Sequence, residues 1–225
     1  MTRTRSYGQY CGVAHALELV GERWALLIVR DLILGPKRFT DLRLGLPRIP
    51  TNVLTTRLKE LEESGVVQRR ALPRPAASVV YELTSYGSQL EEIVLRLGAW
   101  GAQTMGDPKP EDVFTADGAV LAVRTAVHPE LLADTERIGY QLRIGEVLIY
   151  ALLTGGRLEA GIGPLADPDL VITMADFATF KPLLTRQLNP TEAVAAGTVL
   201  IEGDFALFKR FIDVFCLTDP RPALV

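Results

Sequence analysis

The fold of this chain is decided by the stretch TNVLTTRLKEL at residues 51–61. Three leucines recur along it at i, i+4 and i+7: Leu54, Leu58 and Leu61. This spacing places them on one face of a helix, which must pack against a core. Pro50 offers the backbone angle of a first helical turn, and Thr51 and Asn52 can accept bonds from the unpaired N–H groups there. A helix is therefore predicted to begin at this point.

The other faces of the predicted helix carry short polar side chains. Asn52, Thr55 and Thr56 offer amide and hydroxyl groups near the helix N-terminus, and such groups suit base edges in a major groove. Arg57 and Lys59 are better suited to hold phosphate groups. An ordinary solvated helix face is the alternative.

Secondary structure on both sides of the helix favours the DNA-binding interpretation. Before it, Phe39 and Leu42 lie three apart on a short helix, which the glycine and proline that follow would end. After it, Gly65 can take a left-handed cap, and strand-like segments at 66–70 and 79–83 flank a proline-containing turn. A helix, a turn, a second helix and a β-hairpin in this order predict a winged helix-turn-helix, which reads duplex DNA.

Positive charge follows the same stretch. Residues 37–74 hold nine Lys or Arg against four Asp or Glu, although the formal net charge of the chain is −3. Arginines of the hairpin can reach the DNA backbone or a minor groove, unless the hairpin is only a solubilised edge strand. The DNA-binding candidates are Arg38, Thr51, Asn52, Thr55, Thr56, Arg57, Lys59, Arg69, Arg70 and Arg74.

Motifs across about residues 8–104 resemble those of the HxlR-type bacterial transcriptional regulators. They are YCGVAHAL at 10–17, GERWALLIVRDL at 21–32, RFTDL at 38–42, NVLTTRLKEL at 52–61, YELT at 81–84 and WG at 100–101. The resemblance implies a homodimer that reads an inverted-repeat operator in double-stranded DNA. Two positions depart from the family pattern: Gly12 replaces the proline usual after the cysteine, and Pro50 replaces a usual serine.

The pattern after the hairpin also makes a dimer reasonable. Thr84 can cap a helix whose apolar face is too broad for one small domain to cover. Five residues form this face: Leu90, Ile93, Val94, Leu97 and Trp100. A two-fold pair would bury the face and place two recognition helices about one DNA turn apart. The alternative is that the face packs on the first helices of its own protomer.

Length and charge predict a second domain with another task. The chain has 225 residues, 48% of them hydrophobic, which is enough for two cores. Residues 107–225 hold 10 Lys or Arg against 17 Asp or Glu, which argues against wrapping nucleic acid. Helix-ending residues predict a linker at 106–112, between a winged helix-turn-helix domain at 1–105 and a second domain at 113–225.

Short segments of the second half predict a sheet packed with helices. Segments at 140–144, 147–153, 157–162 and 170–174 are separated by glycine or proline, as in an antiparallel sheet. Asp176 and Asp204 are candidate caps for two later helices. The predicted fold class is therefore α+β, with an N-terminal winged helix-turn-helix and a C-terminal antiparallel sheet covered by helices.

The C-terminal part resembles sterol carrier protein 2-like domains over about residues 113–218, most strongly in the run IEGD at 201–204. Such domains often enclose an apolar tunnel, so the resemblance implies a hydrophobic small-molecule or lipid ligand. The candidate ligand-binding residues are Phe177, Phe180, Leu184, Phe208, Phe211 and Phe215. The same residues would equally fill an ordinary core, and periodicity does not separate the two cases.

The two cysteines do not indicate a disulfide framework. Cys11 and His15 lie four apart on a predicted helix, where a cation or a helix end could favour a reactive thiolate, and some HxlR-type relatives use such a cysteine as a redox switch. Apolar neighbours favour a buried, inert thiol instead, and Cys216 is predicted to lie in a core. No enzyme or metal-ligand motif is present, so no catalytic residue, metal or cofactor is predicted.

Together these patterns predict a cytoplasmic, homodimeric DNA-binding transcriptional regulator. No apolar run is long enough for a membrane span, and no signal-type apolar core follows the polar N-terminus. The second domain is expected to sense an apolar ligand or merely to brace the dimer. A thiol-based redox regulator and a lipid carrier that keeps a winged domain are the alternatives.

Overall fold

The computed structural model describes residues 6–73, 78–109, 111–133 and 136–217. The chain forms two compact units, Met1–Val94 and Leu95–Val225. The linker predicted at 106–112 stays a prediction. No helix among the described residues is long and apolar enough to cross a lipid bilayer.

The first unit is a winged helix-turn-helix, as the sequence predicts. Its elements are α1 (Gly12–Val20), α2 (Ala25–Leu32), β1 (Lys37–Arg38), α3 (Phe39–Gly45), α4 (Thr51–Glu63), β2 (Val67–Ala71) and β3 (Val79–Leu83). A further helix, α5 (Leu90–Ala102), begins in this unit and ends in the second. In the sheet, β3 lies between β1 and β2 and is antiparallel to both. The β2–β3 hairpin is the wing.

The leucine stripe sets the orientation of α4. All three of its members are buried: Leu54, Leu58 and Leu61. The helix ends before Gly65, whose φ of 71° costs a glycine little. The predicted cap by Thr51 and Asn52 is wrong, because Pro50 has an extended backbone and both residues already lie inside the helix.

The second unit packs helices against a five-stranded sheet. After α5 its elements are α6 (Ala116–Ala126), β4 (Ile138–Ile144), β5 (Val147–Thr154), β6 (Arg157–Ile162), β7 (Leu170–Met174), α7 (Phe177–Leu184), α8 (Pro190–Ala195), β8 (Val199–Gly203) and α9 (Phe205–Val214). Asp176 and Asp204 cap α7 and α9 as predicted, accepting bonds from Thr179 N at 3.1 Å and Ala206 N at 2.8 Å. The α+β fold class is therefore confirmed.

The strand order β6-β5-β4-β7-β8 corrects one part of the prediction. The sheet is antiparallel except between β4 and β7, which run parallel. The cause is the connection at 163–169, which carries the chain from β6 at the sheet edge to the far side of β4. The buried Gln141 side chain holds this connection, accepting a bond from Leu165 N at 2.7 Å and donating to Gly163 O at 3.2 Å.

Candidate functional site

The face of α4 opposite its leucines is exposed and polar. Thr51, Asn52, Thr55, Thr56 and Lys59 are all exposed. The hydroxyl of Thr55 donates to Thr51 O at 2.9 Å, and that of Thr56 donates to Asn52 O at 2.9 Å. Both hydroxyl oxygens therefore keep lone pairs for an outside donor, and the Asn52 amide offers a donor and an acceptor. This chemistry fits the edges of base pairs.

Arg57 differs from the other cations predicted at this surface. Its side chain is only 18% exposed, and its guanidinium donates to Glu60 on the same helix and to Glu22 at 3.1 Å. Lys59 is freer, because its ammonium group lies 3.7 Å from Glu63 and its side chain is 71% exposed.

The wing carries arginines on both of its faces. Arg70 donates to both carboxylate oxygens of Glu82 at 2.8–2.9 Å, and Gln68 donates to the same carboxylate. This pairing raises the pKa of Arg70 and lowers the pKa of Glu82. Arg69 lies 5.7 Å from the centre of the Tyr81 ring and is exposed. Arg38 is also exposed, whereas the predicted Arg74 lies outside the described residues.

The apolar face of α5 is partly open. Ile93, Leu97 and Trp100 are 57%, 46% and 70% exposed, whereas Val94 is buried and Leu90 is half-buried. Val94 therefore packs within the protomer, and the other three large side chains leave apolar area for a partner.

Cys11 is not the buried, inert thiol that its apolar neighbours predicted. It is exposed, since it precedes α1 with an extended backbone and so lies off the buried face of that helix. The backbone N–H groups of Ala14 and Val13 lower the pKa of its thiol. The Nδ1 atom of His15 lies 3.5 Å from a carboxylate oxygen of Glu18, so the imidazole is paired with Glu18. Cys216 is buried, as predicted.

The ligand-binding candidates of the second unit lie inside it. Phe180, Leu184, Phe208, Phe211 and Phe215 are buried, and Phe177 is half-buried. Their rings meet in groups: Phe177 stacks on Phe114 with centroids 4.0 Å apart, and Phe211 and Phe215 are 4.7 Å apart. These contacts are those of a packed interior.

The hydroxyl of Tyr140 is a buried polar group that the sequence patterns do not predict. Tyr140 on β4 is fully buried, with its ring 5.2 Å from Phe211. Its hydroxyl has no hydrogen-bond partner among the described residues. Burial raises the pKa of Tyr140 to about 12, although the charge of Arg210 acts in the opposite direction. No sequence signal marks this tyrosine, because it reads as one more residue of an apolar strand.

The described residues contain no group of three or more His, Cys, Asp or Glu side chains that could hold a metal ion.

Comparisons with known proteins match the two halves of the chain to two different families. Residues 19–109 match the model of the HxlR-like helix-turn-helix family, and residues 121–215 match that of the SCP-2 sterol transfer family. The HTH-type transcriptional regulator YodB of Bacillus subtilis (strain 168) is 40% identical over 88 residues, which cover 39% of this chain and 79% of YodB. The uncharacterized HTH-type transcriptional regulator YtcD of the same strain is 40% identical over 90 residues, covering 40% of this chain and 71% of YtcD.

Among solved structures, the redox regulator HypR in its oxidized form is 35% identical, with a TM-score of 0.40, and covers 43% of this chain and 99% of that one. The similarity to YodB extends over more than two thirds of that relative. The chain therefore belongs to the HxlR-like helix-turn-helix family and is a DNA-binding transcriptional regulator.

Proposed function

We propose that the protein binds an inverted-repeat operator as a homodimer, with α4 of each copy in a major groove and the wing on the flanking backbone. One observation carries this proposal: α4 buries its leucines and turns a row of hydroxyl and amide side chains to the solvent. A recognition helix needs both faces, since one fixes its orientation and the other reads bases.

The exposed residues divide by chemistry into two roles. Thr51, Asn52, Thr55 and Thr56 suit base edges, because they combine donors and acceptors on short side chains. Arg38, Lys59, Arg69 and Arg70 suit phosphate groups, and we propose the same role for Arg74, which lies outside the described residues. Arg57 lies at the edge of the same surface.

The dimer would form through α5. Ile93, Leu97 and Trp100 expose large apolar side chains along one helix, and a two-fold contact would bury the same face of both copies. Replacing Leu97 by Glu is expected to convert the dimer to monomers in analytical ultracentrifugation, whereas Gln103→Glu, an exposed polar position just past the helix, is the matched control. A Leu97→Glu variant that stays dimeric would place the interface elsewhere.

Selection from randomised duplex oligonucleotides at modest ionic strength tests the operator. We expect an enriched motif with two related half-sites whose centres lie about 10 base pairs apart, or a multiple of that distance. Failure to enrich any motif would remove the assignment of α4.

We further propose that residues 1–105 bind DNA and form the dimer, and that residues 113–225 bind a hydrophobic small molecule that modulates operator affinity. The match to the SCP-2 sterol transfer family supports this proposal. Such a ligand must bind two domain arrangements with different affinity, because equal binding shifts no population.

Organic extraction of the purified protein, followed by mass spectrometry, tests the ligand. The extract is then added back, and operator affinity is measured. A bound lipid that leaves operator affinity unchanged, yet moves between vesicles with the protein, would favour a carrier over a sensor.

A second candidate function is redox control through Cys11. Its exposure and the lowered pKa of its thiol favour this function, because the thiolate is the form that oxidants attack. Operator binding by wild type and Cys11→Ser, measured side by side with and without oxidant, tests it. Oxidation that affects both proteins equally would exclude Cys11 as the sensor.

A further inference from the structure

Arg57 sits in a cluster that is unusual for a phosphate-binding residue. Its guanidinium bonds two carboxylates, those of Glu60 on α4 and Glu22 on the turn between α1 and α2. Its Nε is buried and has no hydrogen-bond partner among the described residues. The side chain is thus directed into its own protomer at the edge of the leucine stripe.

The charge of the cluster also opposes a phosphate contact. The guanidinium already faces the carboxylates of Glu22 and Glu60, so its charge is offset before a phosphate approaches. To reach DNA, Arg57 would have to leave a half-buried ion pair and expose both glutamates to the polyanion. The exposed Lys59, two positions further along the helix, needs no such rearrangement.

The turn that supplies Glu22 has a constrained shape. Trp24, which follows in this turn, has a φ of 80°, a left-handed conformation that bulky side chains rarely adopt. The Arg23 guanidinium lies 5.2 Å from the centre of the Trp24 ring. A side chain at Gly21 would come within 2.4 Å of Leu17 O, so the start of the turn leaves no room for another residue. Glu22 is therefore presented from a backbone with little freedom.

The leucine stripe decides which face of α4 is buried. Its apolar contacts are non-directional, so they define small rotations of the helix about its axis less sharply than a hydrogen bond does. A bonded ion pair at the edge of the stripe, to a rigid turn 35 residues earlier in the chain, opposes this motion. The roll of α4 decides which base edges its exposed side chains reach.

We propose that Arg57 is a positioning residue that locks the roll of α4 against the α1–α2 turn through Glu22, and so sets the base preference of Asn52, Thr55 and Thr56. The proposal rests on the proposed function, since it takes α4 as the helix that enters the groove. It makes Glu22, which lies on the α1–α2 turn and not on α4, a determinant of sequence specificity.

Three variants separate positioning from phosphate binding: Glu22→Gln, Arg57→Gln and, as the matched control on the same helix, Lys59→Gln. For each, the affinity for the selected operator and for single-base variants of it is measured across a salt series. Glu22→Gln and Arg57→Gln are expected to reduce the ratio of these affinities about 3- to 10-fold, a fraction of the discrimination that one good base contact gives. The salt dependence should keep its slope in both. Lys59→Gln should lower the slope by about 0.9 and leave the ratio unchanged.

Two further measurements guard the interpretation. The double variant Glu22→Gln, Arg57→Gln should be no worse than the more affected single variant, because both remove the same bond. Amide hydrogen exchange without DNA should speed up over residues 51–57 in Glu22→Gln and not in Lys59→Gln. This second readout is independent of the groove assignment, so a wild-type protein that selects no motif would defeat the proposed function and leave the lock testable.

The proposal is overturned by either of two results. One is an Arg57→Gln variant that loses about 0.9 of salt slope and keeps its base preference, which would make Arg57 a phosphate contact. The other is a Glu22→Gln variant that changes neither base preference nor the exchange of α4. Because Glu22 is 47% exposed, its replacement by the isosteric amide is expected to leave the fold intact. An unchanged base preference and unchanged exchange would therefore count against the proposal.

Discussion

The candidate functional residues lie on the surface of the first unit and in the interior of the second. In the first unit the candidates are exposed polar side chains of α4, backed by buried leucines. In the second unit they are buried aromatic side chains that touch one another, such as Phe211 and Phe215. DNA binding needs exposure, so the hydrophobic pattern itself separates function from core in the first unit. Apolar ligand binding and core packing need the same residue types, so the pattern does not separate them in the second.

Truncating Phe211 tests whether the second interior is solid, and it should give the largest effect. Phe211→Ala is expected to lower the free energy of unfolding of the second unit by about 3–5 kcal/mol, because the ring is fully buried between Tyr140 and Phe215. Urea unfolding of the full chain, followed by circular dichroism, measures the loss. Leu58→Ala, in the core of the first unit, provides a reference of about 2–5 kcal/mol. A cost below about 1 kcal/mol at Phe211 would mean that the ring borders open space, as a ligand tunnel requires.

The pH dependence of stability gives a second test of whether the interior of the second unit is closed to water, because Tyr140 is buried there. A buried phenol with a pKa of about 12 stays protonated where the unfolded chain, with a phenol pKa near 10, has already ionised. The unfolded state then binds fewer protons than the folded state, so stability falls as the pH rises from about 10 to 12. The loss should reach roughly 2–3 kcal/mol relative to Tyr140→Phe, which has no phenol to ionise.

Urea unfolding of the wild type and Tyr140→Phe at a series of pH values measures this difference. Below pH 9 the phenylalanine variant should be at least as stable as the wild type, since it removes a buried hydroxyl that has no partner among the described residues. Parallel curves for both proteins up to pH 12 would show that the hydroxyl reaches water.

Sequence reasoning succeeded where a structural cause is local. The spacing of Leu54, Leu58 and Leu61 is enough to predict which face of α4 is buried, and Asp176 and Asp204 form their predicted caps within three residues of themselves. The resemblance to the HxlR-type regulators then predicted the function, because the motifs of that family occur in this part of the chain.

Sequence reasoning failed where the cause is a long-range contact or the exact first residue of a helix. The bond between Arg57 and Glu22 joins residues 35 apart, and nothing in either neighbourhood predicts it. The parallel pairing of β4 with β7 depends on where one loop crosses the sheet. Cys11 is exposed because α1 begins one residue after it, at Gly12. The apolar residues nearby do not determine where the helix begins.

Substitutions on the polar face of α4 should change base preference, and this effect should be smaller than the losses of stability expected above. Asn52→Ala and Thr55→Ala are each expected to cost about 1–3 kcal/mol of discrimination at the base position they contact. Arg70→Ala, the comparison on the wing, should instead weaken binding to all sequences and lower the salt slope by at most about 0.9. Competition gel shifts with operator variants, repeated across a salt series, measure both quantities. Equal changes in preference and slope for all three variants would mean that the two roles are wrongly divided.

The smallest expected effect concerns Cys11, which is the exposed counterpart of the buried Cys216. The N–H groups of Ala14 and Val13 lower the pKa of its thiol, so the folded protein reaches its maximal alkylation rate at a lower pH than the chain in denaturant. In a Cys216→Ser background, the rate of iodoacetamide labelling against pH reports Cys11 alone. The midpoint should move upward on unfolding, because the two N–H groups point at the sulfur only while α1 is formed. The lowered pKa also implies that the Cys11 thiolate stabilises the folded state above the pKa of the unfolded chain, and that this stabilisation is lost as the pH falls. The folded state of α1 should therefore be slightly more stable at alkaline pH. Identical midpoints in the folded and unfolded chains would leave Cys11 as an ordinary surface thiol and remove the physical basis for a redox function.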